Sequence, residues 1–326
     1  MVFVRDWASV DGPGVPRENR RGVSRLRQMR SLSSRFLKSL GVAVFSTDQY
    51  ELVDFGEGRK LERFGAYLLD RPAPALEDVP RGDANAWKNA DARYERTRRE
   101  TGIWRTDQPL PDTWSVQHGP ARFELKRTEF GHVGLFPEQA EIWDWIDRQV
   151  RRANRPLNVL NLFAYTGGST LAAAAAGARV VHVDAARNVV RWARRSADLS
   201  GLSQAPIRWI VEDAAKFVER ELRRANGYDA VILDPPSYGH GPKGEVWKLA
   251  DHFMPLLEKC GQLTQGRRAF FLITCHTPGF GPPELEACLA DALFGHCQGG
   301  VQAGKLWLKT SDGRRMPAGA YARWPG

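Results

Sequence analysis

The sequence predicts an α/β protein with a doubly wound parallel sheet, preceded by a small, mainly β domain. Three observations support this fold class. From about residue 138 onward, short apolar runs alternate with segments whose apolar residues recur at helical spacing. Several of these runs end in a Gly pair or an Asp, as strands do before they turn into a helix. Residues 46–135 instead show short alternating runs separated by Gly and Pro turns, which favour β structure.

The first unit, residues 1–45, is predicted to be a basic tail without stable structure. Nine basic and three acidic side chains fall in residues 1–40, so this segment carries +6 of the formal net charge of +9. Lys and Arg displace counterions from phosphates, so the tail suits a polyanionic partner. A solvated tail without a partner, or an Arg- and Ser-rich transit peptide, is also compatible with this composition.

The second unit, residues 46–135, is predicted from weaker signals. Glycines separate its first two apolar runs, and Gly119-Pro120 turns a hairpin between the last two. A polar stretch rich in Pro, Arg and Asp, residues 71–111, lies between these pairs. The predicted strands are 50–54, 61–69, 114–118 and 122–126.

The third unit, residues 136–326, is predicted to be a series of strand–helix repeats. Right-handed crossovers between its parallel strands place helices on both faces of the sheet. The predicted strands are 158–163, 179–183, 207–211, 228–233 and 268–273, with strand-like pieces near 300–303 and 305–309. The predicted helices are 138–153, an Ala-rich segment ending at Gly177, 186–200, a segment after Asp213, 246–264 and 284–294.

Composition excludes several classes of protein. Hydrophobic residues make up 42% and charged residues 26% of the chain, which excludes a fibrous or wholly disordered protein. No apolar run approaches the roughly 18–20 residues of a membrane span. The four cysteines lie in the last quarter without a CxxC pair, so neither a disulfide framework nor a metal site is predicted. A reducing cytoplasm is the expected setting.

Gly and Asp residues directly after three predicted strands indicate a nucleoside site, because ligands bind beyond the carboxyl ends of parallel strands. Gly167-Gly168 permits close backbone approach but is no GxGxxG phosphate fingerprint. Asp184 suits a ribose diol and Asp213 an adenine amino group, although a lone Asp in such a position is more often a helix N-cap. S-adenosylmethionine contains adenine, ribose and a cationic amino acid but no phosphate, so it is the predicted cofactor.

Four motifs resemble those of a known family. The segments NLFAYTGG at 161–168, VD at 183–184 and LDPPSY at 233–238 resemble the class I S-adenosylmethionine-dependent methyltransferases. The segment GLFPEQ at 134–139 is similar to the bacterial large-subunit ribosomal RNA methyltransferase I family. The resemblance covers about residues 112–310. Its motifs are specific for fold and cofactor and less specific for substrate.

The resemblance implies a sheet with an antiparallel last strand and a cofactor cleft. Asp184 is expected to hold the ribose and Asp213 the adenine. The family usually begins with a complete RNA-binding PUA domain, whereas the segment before residue 135 has weak strand signals here, which leaves RNA targeting by it open. The residues implied to bind the cofactor are Phe136 and Gln139 at the cleft border, Thr166, Gly167 and Gly168 around the methionine end, and Asp184, Asp213 and Asp234.

The favoured reaction is methylation of cytosine C5 in RNA, preferably ribosomal RNA. The resemblance implies that Cys275, directly after the fifth strand, is the nucleophile. A thiolate that adds to C6 makes the unreactive C5 enolate-like. His276 is then expected to lower the pKa of the thiol, and Asp234 to hold the base. The bland alternative for Cys275 is a small apolar residue packed at a strand end.

Three residues after the fourth strand are expected to contact substrate. Pro235 shapes the strand end, Tyr238 would stack on a flipped base, and Lys243 in the loop 239–244 would contact a phosphate. Ordinary loop packing is the alternative for Tyr238, and a long turn before the next helix is the alternative for the loop of Lys243. Ser237 precedes the aromatic residue here, which counts modestly against chemistry on an exocyclic amine.

Other reactions and roles remain open. One alternative is methylation of a nucleobase nitrogen by the same fold, with Asp234 as hydrogen-bond acceptor. Another is methylation of a small molecule, since the chain beyond residue 40 carries a net charge of only +3. A non-catalytic RNA-binding assembly factor is a further alternative, although the set Gly167, Asp184, Asp213 and Asp234 argues against it. The sequence predicts RNA as partner and no membrane or metal partner, and it specifies neither the oligomeric state nor the nucleotide.

Overall fold

The computed structural model describes residues 45–98, 101–295 and 300–326. Its centre is a seven-stranded sheet with helices on both faces, which confirms the predicted fold class. The strands are β1 (Tyr50–Gly56), β2 (Arg59–Phe64), β3 (Tyr67–Pro72), β4 (Ala92–Arg96), β5 (Gly102–Arg105), β6 (Trp114–His118), β7 (Ala121–Leu125), β8 (Asn158–Leu162), β9 (Arg179–Asp184), β10 (Ile207–Val211), β11 (Ala230–Leu233), β12 (Tyr238–His240), β13 (Val246–Lys248), β14 (Phe270–Cys275), β15 (Gln302–Lys309) and β16 (Arg315–Trp324). The helices are α1 (Ala140–Arg152), α2 (Gly168–Ala175), α3 (Arg187–Leu199), α4 (Ala214–Arg223), α5 (Leu249–Leu263) and α6 (Pro282–Phe294).

The central sheet has the strand order β10-β9-β8-β11-β14-β16-β15. The first five strands in this order are parallel, whereas β16 pairs antiparallel with both β14 and β15. The chain proceeds from β8 to β9 on one side and later returns to β11 on the other. This reversal opens a crevice beyond the carboxyl ends of β8 and β11, where such sheets bind ligands.

Alternate residues of the central strands fill two separate cores, because successive side chains of a strand point to opposite faces. Leu272 in β14 packs in the core that includes α1, α2 and α3, whereas Ile273 packs with α4, α5 and α6 on the other face. Every residue of β11 and β14 is buried. Strands covered on both faces are nearly continuous apolar runs, and this is why these two strands were predictable.

Strands β1 to β5 form a separate sheet with a buried ionic cluster on it. The fully buried Glu62 carboxylate accepts a hydrogen bond from Tyr50 Oη at 3.0 Å and lies 3.2 Å from Lys60 Nζ. Arg71 donates to the same carboxylate and, through Nη1, to the carbonyl of Gly131 at 3.3 Å. Buried charges are tolerated only when paired in this way. The cluster also ties the sheet to the segment that enters the central domain.

The hairpin β6–β7 packs on α3 of the central domain. Trp192 Nε1 donates to the carbonyl of Glu124 at 2.8 Å, and Ser196 Oγ accepts from the Glu124 N–H at 3.1 Å. One apolar core extends from Phe45 through this hairpin to α1 and the central sheet. The division into units 46–135 and 136–326 stays a prediction.

The sequence-based strand predictions before residue 135 were incomplete. The predicted strand 61–69 is two strands, β2 and β3, that turn at Gly65. Strands β4 and β5 lie in the polar stretch 71–111. Only alternate residues of β4, including Ala92 and Tyr94, face the core, so the mean polarity of the stretch hid the strand.

Corrections also apply near the end of the chain. The predicted loop 239–244 overlaps the end of β12, which forms a hairpin with β13, and α5 begins after this hairpin. The pieces 300–303 and 305–309 belong to one strand, β15, and the sequence did not predict β16. Strand β16 contains Pro317 and Gly319, residue types depleted in strands, so propensity did not indicate it.

The predicted basic tail, apart from Phe45, lies outside the described residues. In the part of the chain that the structure describes, no helix is both long and apolar enough to span a bilayer.

Asp54 in β1 joins the N-terminal sheet to the turn between β15 and β16. Its buried carboxylate accepts hydrogen bonds from the N–H groups of Gly82 and Asp83, both at 3.0 Å, and from Trp87 Nε1 at 2.8 Å. Arg314 donates to the same carboxylate. Burial alone would raise the pKa of Asp54, but these hydrogen bonds outweigh it and lower the pKa to about 2.

We expect Asp54→Asn to lower the free energy of unfolding by about 2 kcal/mol at pH 7, because an amide lacks the charge that Arg314 and the three donors stabilise. The folded-state pKa lies below the unfolded one, so this contribution is complete above about pH 4 and disappears as the pH falls toward about 2. Urea unfolding of both proteins across this range measures the difference. Asp78→Asn, at an exposed position, is the control, and a difference independent of pH would contradict the assignment.

Candidate active site

The crevice brings together side chains from four parts of the chain. Phe136 and Gln139 come from the segment before α1, Tyr165 from the loop after β8, Asp234 from the end of β11 and His276 from the end of β14. The ring of Phe136 lies 5.3 Å from that of Tyr165 and 5.8 Å from that of His276. The segment predicted to border the cleft therefore contacts both sides of it.

The loop after β8 has an unusual backbone. Phe163 and Tyr165 have φ angles of 54° and 48°, and Gly167 has 90°. Left-handed conformations are costly for aromatic residues and concentrate at ligand sites. The loop is held by its neighbours: Thr166 Oγ1 donates to the carbonyl of Gly134 at 2.7 Å, and Tyr165 N–H donates to Asp184 at 2.9 Å. The Thr166 hydroxyl thus has a structural partner within the protein.

Asp184 ends β9 with its carboxylate at the crevice. Its Oδ2 accepts from Tyr165 N–H and its Oδ1 from Ala186 N–H, both at 2.9 Å. Burial raises the pKa of Asp184, against the effect of these two hydrogen bonds. Each carboxylate oxygen has two acceptor positions, so the two backbone donors orient the group and leave capacity for the two hydroxyls of a ribose.

The glycine pair has a packing role of its own. A Cβ on Gly168 would lie 2.5 Å from Cζ2 of Trp143, and one on Gly167 would lie 3.2 Å from the Cβ of Ala193. The left-handed φ of Gly167 also favours glycine. These constraints account for both glycines without a ligand, so their contact with the cofactor stays a prediction.

Asp213 begins α4 after β10, the strand beside β9. Its Oδ1 accepts from Lys216 N–H at 3.0 Å, which makes it the helix N-cap. The structure therefore shows the helix N-cap that was the alternative for Asp213. The cap uses one oxygen, and the role of the other toward adenine stays a prediction.

Asp234 stands at the centre of the crevice. Its Oδ1 accepts from Thr274 Oγ1 at 2.7 Å and lies 3.6 Å from His276 Nε2. Its Oδ2 accepts from Gln139 Nε2 at 3.4 Å. Burial raises the pKa of Asp234, although the nearby His276 and the bond from Thr274 oppose this. The half-buried carboxylate is a strong acceptor for a substrate N–H or a cation.

The donor and acceptor chemistry of the crevice fits S-adenosylmethionine. Carboxylates at the ends of β9 and β10, from Asp184 and Asp213, suit a ribose diol and an adenine amine. The carboxylate of Asp234 and the adjoining aromatic rings suit a cationic group between them. The cofactor supplies an activated methyl group when bound, and the residues around Asp234 are those that would meet its acceptor.

Comparison with known proteins decides the family. The family model described as S-adenosylmethionine-dependent methyltransferase matches residues 75–290, well over half of the chain. The chain belongs to this methyltransferase family. A crystal structure of the SAM-dependent methyltransferase from Agrobacterium tumefaciens is 36% identical, with a TM-score of 0.81, and the alignment covers 87% of this chain and 92% of that one. The expectations of an enzyme, of its fold and of its cofactor are thereby confirmed.

Two curated relatives are named for ribosomal RNA. Ribosomal RNA large subunit methyltransferase K/L of Cellvibrio japonicus is 29% identical over 194 residues, 58% of this methyltransferase and 24% of the relative. A candidate ribosomal RNA large subunit methyltransferase of Methanocaldococcus jannaschii, MJ1653, is 27% identical over 180 residues, 55% of this chain and 44% of the relative. The chain thus matches less than half the length of either. These names are not those of methyltransferase I, and that finer resemblance stays a prediction.

Cys275 has the surroundings of a core thiol in this methyltransferase. It is 2% exposed and packs among the apolar residues between the sheet and α4 to α6. Burial raises the pKa of the thiol, although hydrogen bonds from Thr277 and from the backbone of His276 oppose this. Thr277 N–H donates to Sγ at 3.5 Å, an ordinary distance for a sulfur acceptor. The expected help from His276 does not arise through its ring, which faces Asp234 instead. The nucleophile role stays a prediction that these surroundings oppose.

Two of the other three cysteines lie in the described residues, where they pack against the same core. Cys260 is fully buried in the same core, and Cys288 lies at its edge. Cys297 lies outside the described residues.

The predicted substrate residues flank the crevice. Pro235 is buried directly after Asp234. Tyr238 begins β12, and its hydroxyl lies 3.2 Å from His240 Nε2 at a partly exposed position. Lys243 is exposed at the tip of the β12–β13 hairpin. The structure gives Tyr238 and Lys243 access to a ligand, and their contacts with substrate stay predictions.

His276 is the site residue that sequence reasoning placed in a different role. Its Nδ1 donates to the carbonyl of Ala318 in β16 at 2.8 Å, and its Nε2 faces Asp234 and Gln139. The signal available in the sequence was its position after a strand of the crevice. Since β16 was not predicted, the partner that orients the ring was not predictable either.

We expect Asp184→Ala to weaken S-adenosylmethionine binding by about 5- to 150-fold, since hydrogen bonds to a charged acceptor contribute about 1–3 kcal/mol. Isothermal titration calorimetry of the folded variant measures the change. Asp198→Ala, an exposed position on α3, is the matched control. An unchanged affinity would remove Asp184 from the ribose site.

We expect Gly168→Ala to lower the free energy of unfolding by about 1–3 kcal/mol, because the added methyl group overlaps the Trp143 indole. Gly239→Ala is the control, since its Cβ would meet Pro236 at an ordinary 3.5 Å. Chemical denaturation gives both values. Equal stability of the two variants would show that Trp143 shifts freely and that packing does not explain this glycine.

Proposed function

We propose that the methyltransferase transfers a methyl group from S-adenosylmethionine to a nucleobase nitrogen in large-subunit ribosomal RNA. The RNA assignment is supported by the names of the two curated relatives, each of which is matched over less than half its length. The nitrogen assignment is supported by the side chains of the crevice. This nitrogen assignment replaces methylation of cytosine C5, the reaction that the sequence favoured.

The observation that carries the nitrogen assignment is the contrast between two neighbouring strand ends. Asp234 presents a carboxylate to the crevice, where it accepts hydrogen bonds from Thr274 and Gln139. Such an acceptor orients a base through an N–H and stabilises the positive charge that develops on a nitrogen during methylation. A nitrogen lone pair attacks a methyl group without covalent help from the enzyme.

Methylation of C5 would require the Cys275 thiolate. Strand alternation directs Thr274 toward Asp234 and Cys275 into the core on the opposite face. Burial raises the pKa of this thiol, so the thiolate is disfavoured where the carbon route needs it. The backbone at the end of β14 would have to change conformation before Cys275 Sγ could reach a base in the crevice.

A basic and aromatic strip supports RNA as the substrate. Lys305, Trp307 and Lys309 alternate along one face of the edge strand β15, and Arg315 of β16 lies opposite Lys309. The Arg315 guanidinium is 4.3 Å from the centroid of the Trp307 ring. Cations interspersed with an aromatic ring suit phosphates and unstacked bases. Strand β15 also contacts the turn at Pro137–Gln139, which borders the crevice.

We expect Cys275→Ala to keep methyl transfer within a few-fold of the native rate, and Asp234→Ala to reduce it at least about 100-fold. The assay measures tritium transfer from labelled S-adenosylmethionine to large-subunit RNA from a strain lacking the gene. Mass spectrometry of digested nucleosides identifies the methylated atom. Cys288→Ala is the matched thiol control.

The carbon route predicts the opposite pattern. An inactive but folded Cys275→Ala variant, together with a covalent adduct to RNA containing 5-fluorocytosine, would overturn the nitrogen assignment. Transfer to a small molecule but to no RNA would overturn the substrate class. Fold and cofactor would stand in both cases, since they rest on the family match.

A further inference from the structure

His276 is held in one orientation by its surroundings. Its Nδ1 lies 2.8 Å from the carbonyl oxygen of Ala318, which only accepts hydrogen bonds. A neutral His276 therefore carries its proton on Nδ1 and has an unprotonated Nε2. Gly319 leaves the space that the ring fills, because a Cβ there would lie 2.7 Å from Nδ1.

The unprotonated Nε2 points into the crevice beside the acceptor carboxylate. It lies 3.6 Å from Asp234 Oδ1 and 3.5 Å from Gln139 Nε2, which can donate to it. The contact with Gln139 is long for a hydrogen bond, so an incoming N–H group displaces it at little cost. About a third of the His276 side chain is exposed, so solvent and substrate reach the ring.

Asp234 is less suited than His276 to take up a proton. Its two carboxylate oxygens accept hydrogen bonds from Thr274 and Gln139, and the acceptor positions that are left take the N–H that orients the base. Its role as an acceptor that orients the base also requires that it stay ionised. The imidazole next to it offers a basic nitrogen that is not needed for orientation.

We propose that His276 is a catalytic base whose Nε2 accepts the proton released by the methylated nitrogen. This inference rests on the proposed function. As the new N–C bond forms, the S–C bond of the sulfonium breaks, S-adenosylhomocysteine is the leaving product, and the substrate nitrogen becomes cationic. One N–H bond of that nitrogen then breaks, its electron pair stays on nitrogen, and the proton moves to Nε2. The imidazolium later returns the proton to water.

The charged groups around the ring favour this transfer. Asp234 faces Nε2 from β11, and Glu138 Oε1, from the turn before α1, lies 3.9 Å from Nδ1. Both would stabilise an imidazolium. Burial raises the pKa of Glu138, and His276 and, to a smaller extent, Lys60 from the N-terminal sheet counteract this. Strand β16 also packs on the ring, and it contributes only uncharged groups there, the Ala318 carbonyl and the backbone of Gly319.

The test uses the full chain with labelled S-adenosylmethionine and large-subunit RNA from a strain lacking the gene. His276→Asn places an amide near the Nδ1 position and removes the base. We expect a rate reduction of about 100- to 10,000-fold, as for loss of a general base. The native rate should fall as the pH is lowered, because the base and Asp234 must both be unprotonated, and the variant should keep only the part of this fall that protonation of Asp234 causes. Added imidazole should partly restore the rate of His276→Gly.

Two readouts do not depend on turnover. Calorimetric affinity for S-adenosylmethionine should be the same for the native protein and His276→Asn, because the ring acts on the acceptor. Nitrogen-15 NMR of labelled histidine should assign the Nδ1–H form to His276. His252→Asn, an exposed position on α5, is the matched control, and His276→Gln replaces the first variant should that one fail to fold.

The outcomes separate this inference from the function on which it rests. A nitrogen-methylated product with an unchanged rate and pH profile in His276→Asn would overturn the base. So would a slow variant that keeps the native pH profile and is not rescued by imidazole, since that describes a positioning residue. A carbon-methylated product in the native protein would instead overturn the proposed function.

Discussion

The register of three neighbouring strands determines where the reactive groups of this methyltransferase stand. Leu233 of β11 lies opposite Leu162 of β8 on one side and Ile273 of β14 on the other. The next residue of each strand therefore emerges at one level of the sheet, and Thr274 and Asp234 come within hydrogen-bonding distance. A parallel sheet fixes this level through its backbone, so the heights of Asp234 and Thr274 do not depend on the loops that follow.

The side chains at the end of β14 alternate between the crevice and a core. Thr274 serves the crevice, while its neighbour Cys275 fills a core, although both stand at the same strand end. A residue at the end of a strand therefore lies at the edge of the sheet, and strand alternation decides which face of the sheet its side chain points to. The nucleophile role of Cys275 stays a prediction.

Much of the fold and part of the site could be predicted from the sequence. The buried strands of the central sheet are continuous apolar runs, and Asp184 and Asp234 stand where such runs end. By contrast, β4 and β16 lack a strong pattern, because one is half exposed and the other contains Pro317 and Gly319. Contacts between distant segments were also out of reach, such as Trp143 against Gly168.

The position of β16 in the sheet has a consequence for the order of folding. Strand β16 lies between β14 and β15, and Arg314 before it pairs with Asp54, 260 positions earlier in the chain. Contacts between such distant segments close late, because a long loop must first be brought together. During synthesis the N-terminal sheet must wait, with a buried carboxylate still lacking its cation, until the ribosome has released residues beyond 314. The same late segment supplies Ala318, so the imidazole is oriented only when the final hairpin has formed.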